Sequence, residues 1–393
     1  MTKIKWYNLL LLTMFCVLAT SCSRREARFH IGVSQCSDDE WRHQLNNEIL
    51  REAHFYEDVE VDILTSKDNN EQQAADIRRF IAQGVDLLIV APNQAAPITP
   101  VVEEAYNRGI PVIVIDRKIL SDKYTAYIGA DNFEIGKSVG EYIANALHGK
   151  GTVVEISGLR GSTPAVERHQ GFLSSISKYP DVKLLAVEDG EWLQSRAREK
   201  MDTLLARFPH FDIVYAHNDR MAAGAYEAAV RAHCEKEIRF IGTDALSGEG
   251  YGLESVLDGE LTATFIYPTG GDKVMQTAMD ILNKRPFRRE TLLSTSVVDK
   301  SNANVMKMQT NHILTLDGKI ETLNGKINQY LDRYANQRVM LLGSLLMLLL
   351  VIGFLVAVYL SLRTKSRLNR ELFLQKEKLE NQKKKLEVQK HLL

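Results

Sequence analysis

The sequence predicts an α/β fold of two doubly wound parallel sheets, followed by one transmembrane helix and a cytoplasmic coiled-coil helix. Three observations predict it. Short apolar runs alternate with amphipathic helical patterns from residue 29 onward, the pattern of strand–helix units in parallel sheets. The runs are near-continuously apolar, as strands covered on both faces require. Residues 339–362 carry no charge over 24 positions, and about 20 apolar residues at 1.5 Å rise cross a bilayer core of roughly 30 Å.

At the N-terminus, Lys3 and Lys5 precede an apolar run from Leu9 to Ala19, and small residues Ala19-Thr20-Ser21 follow. This is the layout of a secretory signal over residues 1–22. Leu18-Ala19-Thr20-Ser21-Cys22 is also similar to a bacterial lipoprotein box, with Leu18 one place early, so Cys22 is a lipidation candidate beside plain cleavage or an uncleaved anchor. The strand candidates are then 29–33, 59–64, 86–90, 112–115, 152–156, 182–187, 212–216, 239–242 and 262–267. Helical patterns lie between them at 40–54, 70–83, 97–108, 132–147, 163–178, 194–207, 219–232 and 270–283. Nine strands suit two sheets better than one. Residues 311–338 read as a polar helix with an apolar stripe through Ile320, Leu323, Ile327, Tyr330, Leu331 and Tyr334. After the span, Arg363, Lys365, Arg367 and Arg370 place the C-terminal end in the cytoplasm by the positive-inside rule. Leu372, Leu379, Leu386 and Leu393 then recur every seven residues over 363–393, one position of a heptad. If these are position a, the other seam position is Gln375, Gln382 and Gln389.

Composition narrows the function classes. A net charge of −1 gives no global field for nucleic acid. Cys36 and Cys234 are too far apart to form a disulfide framework, although an oxidising compartment permits a bond. Gly136-Lys137-Ser138 lacks the earlier glycine of a phosphate-binding loop, since Asp131 stands there. There is no zinc-protease pair, and the histidines have no ligand spacing. No metal or cofactor is expected.

In doubly wound sheets ligands sit outside the carboxyl ends of the strands. Asp38 and Trp41 follow the first strand, Asp116-Arg117 the fourth, Asn218-Asp219 the run ending at Ala216, and Asp244 the run ending at Gly242, while Tyr267 closes 262–267. Planar Arg and carboxylate groups hold hydroxyls through several hydrogen bonds. An aromatic face suits the C–H side of a sugar ring. Each residue alone also fits a structural role: Asn218 or Asp219 as a helix cap, and Trp41 in a core.

The segments IGVSQCSDDEWR, VIVIDRK, GLRGSTPAVERHQGF, DIVYAHNDRMAAGA, FIGTDAL and LTATFIYPTGG, in that order and spacing, resemble the periplasmic sugar-binding proteins of the ribose/galactose type. The resemblance covers about residues 28–300. It implies a type I periplasmic-binding-protein fold, with two lobes joined by three crossings that close on a monosaccharide. The N-lobe is expected at about 28–128 and 265–286, and the C-lobe at about 129–264 and 287–310. Matched position by position, ligand contacts fall on Asp116 and Arg117, on Arg168, Trp192, Asn218 and Asp244, and near the hinge on Tyr267. Ribose-binding members have Gln at the Tyr267 position, so the identity of the sugar is left open.

A sugar-binding domain, a span and a cytoplasmic coil resemble the sensor half of hybrid two-component histidine kinases. That implies an inner-membrane sensor with a periplasmic domain, a homodimer, and histidine kinase and response regulator partners. A phospho-acceptor box and an ATP region do not occur within these 393 residues, so that output is expected from a longer or split kinase, or in trans. The rival is a membrane-tethered component of a sugar transporter. No enzyme activity is expected.

Overall fold

A computed structural model describes residues 28–390 apart from 57 and 249. The signal segment, Cys22 and Leu393 lie outside the described residues. Residues 28–314 belong to one compact unit, and residues 315–390 to a second.

In the first unit the chain alternates as its periodicity predicts. The first sheet holds β1 (Phe29–Gln35), β2 (Val59–Thr65), β3 (Leu87–Val90), β4 (Val112–Ile115), β5 (Ala126–Ala130) and β11 (Glu290–Leu293), in the order β11-β5-β4-β3-β1-β2. The second holds β6 (Lys150–Ser157), β7 (Asp181–Asp189), β8 (Ile213–Ala216), β9 (Arg239–Asp244), β10 (Ala263–Ile266) and β12 (Val297–Asp299), in the order β12-β10-β9-β8-β6-β7. The helices are α1 (Glu40–Ala53), α2 (Asn70–Gln83), α3 (Ala95–Asn107), α4 (Asn132–Ala146), α5 (Thr163–Ile176), α6 (Gln194–Arg207), α7 (Asp219–Arg231), α8 (Gly252–Asp258), α9 (Gly271–Leu282) and α10 (Ala303–Lys390). The pairs are parallel except β10 with β12, which run antiparallel. Strands β3, β4 and β8 are buried at every residue, which is why they read as unbroken apolar runs.

Strand order reverses at β1, flanked by β2 and β3, and again at β6, flanked by β7 and β8. These switch points open the crevice in which such sheets take ligands. The chain crosses between sheets three times: after β5, after β10 and after β11. The later crossings differ from the expected lobe limits. All of β10 belongs to the second sheet, and β11 pairs with β5 in the first, Glu290 opposite Tyr127. The N-lobe thus takes back residues up to Leu293, because an edge strand with alternating exposure gains its ladder only from β5. Helix α9 packs on α1, and α4 packs on α5. Cys36 and Cys234 are both free.

Helix α10 opens against the second lobe, where Ala303 is buried and Met306 packs on the cluster of Val298, Leu253 and Val256. Residues 311–338, 339–362 and the helical part of 363–390, expected as three segments, are one uninterrupted helix. Among the described residues it is the helix long and apolar enough to cross a membrane.

Candidate functional site

The strand ends converge on one cavity, of about 680 Å³ including its open mouth. Trp41, Arg42, Asp116 and Arg117 line it from the first lobe. Arg168, Trp192, Asn218, Asp219 and Asp244 line it from the second, with Tyr267 at the hinge.

Asp116 follows β4 with φ +60°, a left-handed backbone that a non-glycine residue keeps only when its surroundings enforce it. They do. Arg42 Nη2 and the Tyr267 hydroxyl both donate to its carboxylate, and Arg117 Nε lies 3.7 Å away. The Tyr127 hydroxyl donates to the Asp116 carbonyl at 2.8 Å. Burial opposes ionisation of Asp116, but Arg42 and Arg117 outweigh it and hold the carboxyl below the usual range. Arg117 Nη1 donates to the Asn93 carbonyl at 2.7 Å, and its guanidinium centre lies 5.8 Å from the Trp192 ring centre.

Trp41 stacks on Tyr267, with ring centres 5.1 Å apart, and its indole N–H donates to the Tyr267 carbonyl at 2.9 Å. A helix-start aromatic therefore braces the hinge while facing the cavity. Arg42, the next residue, is 3% exposed, and its Nη1 is buried without a hydrogen-bond partner among the described residues.

On the second lobe, Arg168 Nε donates to Asn132 Oδ1 at 2.9 Å, and Nη1 donates to the His217 carbonyl. Its guanidinium lies 4.3 Å from the Tyr267 ring centre and 5.5 Å from that of Trp192. Gly136 lets α4 approach this part of α5, since a Cβ there would stand 1.9 Å from the Arg168 carbonyl oxygen. The glycine that mimics a phosphate loop in sequence is a helix contact. Trp192 has φ +64° and rests its ring on Gly158, where a Cβ would come within 2.2 Å. Its indole nitrogen is buried and unpartnered among the described residues.

Asn218 caps α7 by accepting from Met221 N–H at 2.9 Å and also lines the cavity. Asp219 is held by Thr264 Oγ1 at 2.6 Å and Ala245 N–H at 2.8 Å, and burial pushes its carboxyl up to about 6. Asp244 has φ +144°. Burial, then the neighbouring Asp219, pushes its carboxyl well above the usual range. A carboxyl that both accepts and donates is suited to hydroxyl-rich ligands. Arg220 meets Glu40 at 3.4 Å at the cavity wall, and Lys118 of the first lobe meets Glu167 of the second at 2.9 Å, so the lobes are in contact.

A family model for the periplasmic binding protein domain matches residues 31–286. The chain belongs to the periplasmic binding protein family. The galactofuranose-binding protein YtfQ of Escherichia coli is 31% identical over 271 residues, 66% of this chain and 83% of that protein. The ribose import binding protein RbsB of Bacillus subtilis is 32% identical over 236 residues, 59% of this chain and 74% of that one. Among solved structures, the fructose-binding periplasmic domain of a hybrid two-component system is 62% identical, with a TM-score of 0.76, covering 76% of this chain and all of that domain. A Mycobacterium smegmatis protein in complex with β-D-fucofuranose is 28% identical, with a TM-score of 0.68, over 74% of this chain and 97% of that one.

Within this periplasmic binding domain, eight of the nine expected contact residues line the cavity: Trp41, Asp116, Arg117, Arg168, Trp192, Asn218, Asp244 and Tyr267. Asp38 is not among the lining residues. Its carboxylate faces His43 at 3.2 Å and Lys67 at 4.0 Å, and the α1 N-cap, Asp39, lines the wall instead. The helix-start geometry turns one aspartate inward and its neighbour outward. Arg42 and Arg220 were not foreseen. Arg42 had a legible signal, since it shares a helix face with Trp41, Leu45 and Ile49, where an unpaired charge is costly. Arg220 had none, because a helical arginine after Asn218-Asp219 reads as solvated.

Proposed function

We propose that this chain is a membrane-anchored sensor whose periplasmic domain binds a monosaccharide of the fructose class and relays lobe closure to a two-component kinase. The observation that carries the ligand is the 62% identity to a fructose-binding sensor domain over that domain's whole length. The cavity supports it with planar guanidinium and carboxyl groups between two indoles. The basic residues after the span orient the C-terminal side to the cytoplasm.

The relay runs through α10. Ile313, Leu316, Ile320, Leu323, Ile327, Tyr330 and Tyr334 follow one another at alternating spacings of three and four. That puts isoleucine at a and leucine at d, the choice that favours two parallel strands, and hence a homodimer. Leu372, Leu379 and Leu386 lie in the same phase as Leu316, eight heptads later. They are then d positions, facing Asn369, Lys376 and Lys383 at a rather than the glutamines. A ligand shifts such an equilibrium only by its differential affinity for the two states, so closed lobes must prefer a different helix spacing. The names of ribose import relatives favour a second reading, a tethered transporter component. Calorimetry with a monosaccharide panel on the full chain tests the ligand, and a flat response to D-fructose overturns it. Inserting two residues after Arg338 turns the downstream helix by about 200°. Normal kinase output from that variant, with binding intact, favours the transporter reading.

A further inference from the structure

Glu155 lies on β6 among Val153, Val154 and Ile156, is fully buried, and does not line the cavity. A carboxylate in an apolar strand is costly unless paired, and this one is paired twice. Its Oε1 lies 2.7 Å from His217 Nε2, and its Oε2 lies 2.8 Å from His169 Nδ1. The His217 tautomer is fixed by its other nitrogen. The Gly158 N–H donates to His217 Nδ1 at 3.2 Å, so the ring proton is on Nε2 and is donated to Glu155. His217 is fully buried, and its carbonyl accepts from Arg168 Nη1. Gly158, held by the same ring, is the surface on which Trp192 rests. His169 is the residue after Arg168 on α5.

The geometry points to Glu155 as a positioning residue for the ligand cavity, which sets Arg168 and the Gly158–Trp192 wall through His217 without touching ligand. An arginine side chain has many rotamers, and fixing it before ligand arrives removes that ordering cost from binding. The His217 carbonyl and Asn132 fix two guanidinium nitrogens of Arg168. Glu155 keeps the first of these in place by giving the His217 ring its acceptor. Gln at 155 retains an acceptor for His217, whereas Leu does not.

The inference rests on the sugar-binding reading for its affinity test and has a second readout independent of ligand. In the full chain in nanodiscs, E155L is expected to bind D-fructose about 10- to 100-fold more weakly, and E155Q within about threefold of wild type. In an R168A background E155L should weaken binding by clearly less than it does in wild type, because the part of its effect that runs through Arg168 is already lost and only the Gly158–Trp192 part is left. Wild-type affinity in folded E155L, or its full loss repeated in the R168A background, overturns the proposal. If E155L does not fold, E155M, closer in volume, replaces it. Failure of both to fold while E155Q folds assigns Glu155 to stability alone and also overturns it. If the wild-type chain binds no fructose, the ligand reading fails, and Glu155 is judged by selective Arg labelling. The Arg168 Nη1 group, which donates to the His217 carbonyl, should then be ordered in wild type and E155Q and rotationally mobile in E155L. Equal order in all three refutes the positioning role.

Discussion

Replacing Arg42 by alanine removes a group that is joined to Asp116 at one nitrogen and has no protein partner among the described residues at another. Two losses follow. The ligand loses a charged donor, worth about 1.5–3 kcal/mol. Asp116 keeps Arg117 Nε at 3.7 Å and the Tyr267 hydroxyl, so it bears only part of the roughly 3–5 kcal/mol that breaking a buried pair costs. Binding should weaken by about 2–4 kcal/mol, or about 30- to 1000-fold. Calorimetric titration of D-fructose into the full chain reads this directly. R42K keeps the charge but loses the planar fork, and it should fall between R42A and wild type. Stability against pH gives an independent check. The folded Asp116 carboxyl lies below its ordinary 3.8 because the arginines outweigh burial. Its contribution to stability is therefore present above that value and lost as pH falls through the lower, folded one. Without Arg42 burial is less opposed, so the loss in R42A should begin at higher pH. A folded R42A protein with wild-type affinity refutes the assignment of Arg42 to the site.

Asp219, pushed up to about 6 by burial, contributes stability that is full below about 3.9 and lost as pH rises through 6. Melting temperatures of wild type should therefore decline from pH 4 to 6.5 relative to D219N, and parallel curves would refute the shift. G158A places a methyl against the Trp192 ring, where a Cβ would stand 2.2 Å away. It should weaken fructose binding by about tenfold or more while leaving the fold intact, as circular dichroism and calorimetry together would show. A cysteine at Lys376 should resist impermeant thiol reagents in intact cells, and one at Ala335 should react; the reverse pattern contradicts the orientation. Cysteines at Ile320, Leu323 or Ile327 should cross-link between subunits far faster than cysteines at Gly318 or Gly325, outside the seam. Equal rates at both sets would sink the two-stranded arrangement.

The sequence by itself determined the class of fold, because burial on both faces forces unbroken apolar strands and a one-sided helix forces its own period. β3, β4 and β8 were therefore legible to within a residue. It marked the one charge-free segment long enough to cross a membrane among the described residues, since charge-free length is a local property, and it located most strand ends that carry polar chemistry. The tertiary structure decided what depends on partners distant in the chain. The segment AYIGA carries too little β-propensity to announce β5, which is a strand because β4 and β11 flank it. β11 itself, half-exposed, is defined by the ladder with β5 and so moves the lobe boundary. At the site, adjacent residues with the same chemistry part company. Asp39 turns in as a helix cap and Asp38 turns out to His43, and Arg42 becomes a cavity group because Asp116 lies opposite it across 74 residues of sequence. Composition places charges along a chain; only packing decides which of them lose water and which of those face the cavity.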